Sequence, residues 1–89
     1  MHLTDKNILH LITVLTLKKQ VLNMRDFCNI IKMREQTITK IKNGSAHFTV
    51  LQIESICKIF KVNANWIYGI ELSMFLKKVK EYSNQELVN

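Results

Sequence analysis

Residues Leu22–Gly44, LNMRDFCNIIKMREQTITKIKNG, decide how the chain is read. At helical period the stretch divides into two short helices separated by a tight corner. The first places Phe27, Cys28, Ile30 and Ile31 on one face, and the second places Ile38 and Ile41. With Ile38 and Ile41 turned inward, Gln36, Thr39, Lys40 and Asn43 emerge on the opposite side. That outer face donates and accepts hydrogen bonds, carries positive charge and has no partner within the stretch. Such a face suits a helix that lies in a major groove.

Outward from this stretch, the helix starts repeat one grammar: an apolar residue, a polar cap, and a second apolar residue four positions into the helix. Thr4 is read as the cap of a first helix over about 5–19, stapled by Leu3 and Ile8. Asn23 caps the second, with Leu22 and Phe27. Thr49 caps the fourth, about 50–60, with Phe48 and Ile53, and Gln52 completes a capping box. Asn63 caps a single turn at about 64–68, with Val62 and Ile67, ended by Gly69. The polar residues of the first helix fall at 10, 13 and 16, nearer a helical than a strand period, and its remaining positions predict burial nearly all round. In the fourth, Leu51, Ile53, Ile56, Cys57 and Phe60 are the expected inward residues. A last helix over 71–82 is expected from the stripe Leu72, Phe75, Leu76, Val79 and Tyr82, followed by a flexible polar tail at 83–89.

Eighty-nine residues without proline and with two glycines fit one small, mostly helical domain rather than a sandwich or a loop-rich fold. The net charge of +6 is unevenly spread. Residues 1–44 hold eight Lys/Arg against three acids, whereas residues 45–89 hold five against four. Excess positive charge on the two-helix half fits a nucleic-acid footprint, and equally a solubilising lysine surface. Two cysteines on apolar helical faces fit reduced thiols in a cytoplasmic protein better than a disulfide framework. The apolar run Ile8–Leu17 is too short to cross a membrane, so no membrane partner is expected. The initial Met1 and the polar end read as those of a whole chain.

From Leu22 to about Gly69 the chain resembles the Cro and lambda-repressor-like (Xre-type) helix-turn-helix family of bacterial and phage regulators. The resemblance is carried by Asn23, Phe27, Cys28 at the usual alanine position, Ile31, Ile38, Ile41, Asn43–Gly44, Thr49, Ile53, Ile56 and Val62-x-x-x-Trp66. It implies an all-α, compact five-helix DNA-binding domain, to which the helix at 71–82 would be an addition. Three positions depart from the family pattern. Lys32 stands where the turn usually has glycine, which predicts a strained left-handed residue. Arg34 replaces the Ser or Thr cap of the recognition helix, with Glu35 partly compensating at the positive helix end. Ser45, Ala46 and His47 replace a segment that is often basic.

Carried over by position, the resemblance makes Arg34, Glu35, Gln36, Thr39 and Lys40 candidates for reading bases. Met24, Arg25, Lys42, Asn43, Ser45 and His47 become candidates for holding the DNA backbone. Gln36 suits adenine, Lys40 or Arg34 suits guanine, and Glu35 can accept from cytosine. Arg34 and Lys40 serve phosphate contact or solvation equally well, and Glu35 serves the helix dipole. The implied function is a repressor-type transcriptional regulator acting on double-stranded DNA as a homodimer, with half-sites about one helical turn apart. Leu72, Phe75, Leu76, Val79 and Tyr82 are dimer candidates that could instead pack on their own core. The alternative is a protein-interaction module, such as an antitoxin-like partner, that uses the C-terminal helix. No triad spacing, paired acids, glycine-rich phosphate loop or C-x-x-C pair is present, so neither an enzyme, a metal site nor a cofactor is expected.

Overall fold

The computed structural model describes residues 1–77. Five helices follow in order: α1 Leu3–Leu17, α2 Met24–Ile31, α3 Glu35–Lys42, α4 Val50–Phe60 and α5 Ala64–Ile67. The described residues contain no strand, so the all-helical class is correct. One isolated antiparallel bridge joins Val62 to Phe75.

The core follows the helical periods. Ile8, Leu11, Ile12 and Leu15 of α1 meet Phe27, Cys28 and Ile31 of α2, Ile38 and Ile41 of α3, and Ile53, Ile56 and Phe60 of α4. The rings of Phe27 and Phe60 stack 5.8 Å apart. Each side chain of this size contributes about 1.5–3 kcal/mol when fully buried. Helix α1 packs on α5, and α2 packs on both α3 and α4.

The caps expected at three helices form. Asn23 Oδ1 accepts from the Asp26 amide at 2.9 Å. Thr49 and Gln52 complete a reciprocal capping box. Asn63 Oδ1 accepts from the Asn65 amide at 3.0 Å. The staples Phe48–Ile53 and Val62–Ile67 have all four residues buried.

Four expectations are corrected. Thr4 is not a cap: α1 begins at Leu3 after His2, which makes no side-chain cap bond. That earlier start puts Asp5 at the third helical position, on the inward face with Ile8 and Ile12. Nor is α1 buried all round, since Lys6, His10, Thr13 and Leu17 are exposed. Leu22 is 80% exposed, and buried Val21 supplies the apolar residue before the second helix instead. Leu51 is exposed, because it lies about 200° around the helix from Ile53.

The expected helix at 71–82 is contradicted over its described part. Residues 71–77 form an irregular, non-helical strap that bends at Leu72 and Met74. The Asn63 amide donates to the Met74 carbonyl and the Leu76 amide to the Lys61 carbonyl, both at 2.9 Å. Asn63 Nδ2 also donates to Glu71 Oε1 and to the Ser73 carbonyl. These bonds satisfy backbone groups at the α4–α5 junction that a helix at 71–77 would leave unpaired. Phe75 is half-buried against the core, while Leu72 and Leu76 are exposed, so the three do not make a helical stripe. Val79, Tyr82 and the tail at 83–89 lie outside the described residues.

Candidate nucleic-acid interface

The corner between α2 and α3 is built by one backbone conformation. Lys32 adopts φ 60°, ψ 50°, the left-handed region, as its position in the turn predicts. The Met33 amide donates to the Cys28 carbonyl at 2.9 Å and closes α2. The chain then re-enters a helix with Arg34 as an extended cap that has no side-chain bond to the helix.

Helix α3 buries Ile38 and Ile41 and exposes Gln36, Thr39, Lys40 and Lys42. Arg34 and Glu35 are exposed at its start. Four of the five base-reading candidates are thus exposed on α3, and the fifth, Arg34, is exposed at its cap. Glu35 is engaged, with its Oε1 accepting from Arg25 Nε at 3.4 Å across the corner. Both partners are largely exposed, so the pair is worth at most about 1 kcal/mol and can open toward another donor. Glu35 also lies close enough to Cys28 to reinforce burial in pushing that thiol up. The Cys57 thiol is pushed up by burial alone.

The backbone-holding candidates separate into three situations. Arg25, paired with Glu35 at the start of α3, and Lys42, in its last turn, are exposed cations. Met24 is half-buried and packs on the core, so its side chain serves the fold. Asn43 and Ser45 are committed to each other after α3: Asn43 Oδ1 accepts from the Ser45 hydroxyl at 2.7 Å and from its amide at 3.1 Å. Gly44 between them takes φ 86°.

His47 is held by an acid that sequence reasoning missed. Asp5 is 2% exposed. Its Oδ2 lies 2.7 Å from His47 Nδ1, and its Oδ1 accepts from the Phe48 amide at 3.0 Å. A carboxylate from the first turn of α1 thus fixes the loop that follows α3. The detectable signal was a lone acid on an otherwise apolar helical face, in step with Ile8, Ile12 and Leu15. The ring of His2 lies 4.4 Å from that of His47.

Among the described residues, no three His, Cys, Asp or Glu side chains converge as a metal site would require. No described helix is long and apolar enough to cross a membrane. No family model, curated protein or solved structure matches this chain.

Proposed function

We propose that this protein binds double-stranded DNA sequence-specifically, as a transcriptional regulator of repressor type related to the Xre helix-turn-helix proteins. One observation carries the reading. A short helix is set off by a left-handed corner, anchored by Ile38 and Ile41, and presents Gln36, Thr39 and Lys40 to solvent beside Arg34 and Lys42. Placed in a major groove, that face puts amide, hydroxyl and ammonium groups within reach of base edges. Arg25 and Lys42 flank it at positions suited to phosphates. Action as a homodimer on paired half-sites is part of the proposal, because one short recognition helix reads few base pairs.

The test is selection of bound fragments from genomic DNA at about 0.15 M salt with excess competitor, followed by titration of the enriched site. The reading expects an inverted repeat with half-sites about 10 bp apart, bound at least ~10³-fold over random DNA. Recovery of no motif, with binding that disappears as salt rises, would reduce the surface to non-specific cation attraction and refute it.

A further inference from the structure

A second cationic surface lies away from the recognition helix. The end of α1, the end of α4 and the strap enclose a groove of 580 Å³ to which α2 and α3 contribute no lining residue. Its walls carry Lys18, Lys61 and Lys77, and its floor is Ile59, Phe60, Phe75 and Leu76. No carboxylate lines it, and none of the three lysines forms an ion pair among the described residues. Ile59 is 48% exposed and Leu76 55%. Lys18 Nζ sits 4.3 Å from the centre of the Phe75 ring, so one cation is already placed over the apolar floor. The strap's backbone bonds to residues 61 and 63 fix the opposite wall.

We propose that this groove docks an acidic amphipathic peptide segment of a partner protein, with carboxylates on the three lysines and apolar side chains on Ile59, Phe75 and Leu76. Charge complementarity selects the sign of the partner. The apolar floor selects its class: a nucleic-acid backbone would satisfy the lysines but leave Ile59 and Leu76 against hydrated phosphates. The chain beyond Lys77 carries Lys78 and Lys80 with Glu81 and Glu86, so its side chains bring no net negative charge to match the three lysines. This site does not depend on the DNA-binding proposal.

The probe is a dye-labelled twelve-residue peptide of alternating Glu and Leu, titrated into the full-length protein and mapped by amide chemical shifts. Two companion peptides replace Glu by Gln or Leu by Ser. Saturable binding is expected, weakened at least tenfold by either replacement, with shifts concentrated at Lys18, Ile59, Lys61, Leu76 and Lys77. Lys18→Glu with Lys77→Glu is expected to weaken binding at least tenfold, whereas Lys6→Glu with Lys58→Glu, of equal charge change, is not. Thermal melts of both double variants confirm folding, and Ile59→Ser supplies an independent test of the floor. Equal binding of the Glu/Ser peptide, shifts that map to α3, or proton contacts in the free chain that fill the groove with residues 78–89 would each overturn the proposal.

Discussion

At the scale of single residues, strain and hydrogen-bond satisfaction give the sharpest expectations. Lys19, Lys32 and Lys61 all adopt positive φ, where a side chain costs about 1–2 kcal/mol relative to glycine. Glycine is also more costly to order, so Lys32→Gly should stabilise the fold by a net ~0.5–1 kcal/mol, read from urea midpoints. Asp5 behaves oppositely. Removing its carboxylate in Asp5→Ala strands the Phe48 amide and should cost about 1–3 kcal/mol by the same measurement. On DNA, Gln36→Ala should relax preference at one base pair by roughly 1–3 kcal/mol, while Lys42→Ala weakens all sequences alike and lowers the salt slope by about one. Binding curves on singly permuted sites distinguish the two, and unchanged preferences in Gln36→Ala would remove that residue from the reading surface. The left-handed corner at Lys32 was legible only through the family resemblance, since that family's turn usually has glycine at this position. Asp5 was not, because its partners lie 42 and 43 residues away, beyond the range of any local pattern.

At the scale of elements, three of the four expected caps (Asn23, Thr49 and Asn63) were legible, since each joins residues within one helical turn; Thr4 was not, because α1 starts one residue before it. Thr49→Ala should remove the arm in which Thr49 Oγ1 accepts from the Gln52 amide, while the amide of residue 49 can still donate to Gln52 Oε1, and destabilise by about 1 kcal/mol, measured by thermal or urea melts. The strap marks where periodicity misleads. Leu72, Phe75 and Leu76 are spaced as a helical stripe, yet the competing demand came from the Lys61 carbonyl and the Asn63 amide at the junction before α5. Backbone groups left open by one element dictated the form of the next. Sequence period contains no term for that demand. Leu51 shows a smaller version, an apolar residue in the right helix on the wrong side of it.

Across the whole molecule, most of the hydrophobic core was legible, because it follows from period alone; the second basic groove was not, because it is assembled from three distant segments. Alkaline stability is a property of the assembled core. Burial, reinforced by Glu35, holds the Cys28 thiol above its ordinary value of 9.0. The unfolded chain therefore ionises this thiol first. Stability tied to the neutral thiol is fully present below that ordinary value and is lost as pH rises through the higher folded one. Cys28→Ala should accordingly lose less stability than the parent between neutral and alkaline pH, with urea midpoints at both ends as the measure.

The bonds that fix α1 also set an order of events during synthesis. Asn7 Nδ2 donates to the carbonyls of Trp66 and Ile67, 59 and 60 residues later, and Asp5 waits for the loop at 47–48. At about 5–20 residues per second, Asn7 is polymerised roughly 3–12 s before its last partner is made. Throughout that interval Ile8, Leu11, Ile12 and Leu15 have no completed core to enter. Helix α1, made before its partners, is thus among the last of the described elements to reach its final surroundings, and a stalled nascent chain ending before α5 presents an apolar helix to chaperones rather than a finished fold.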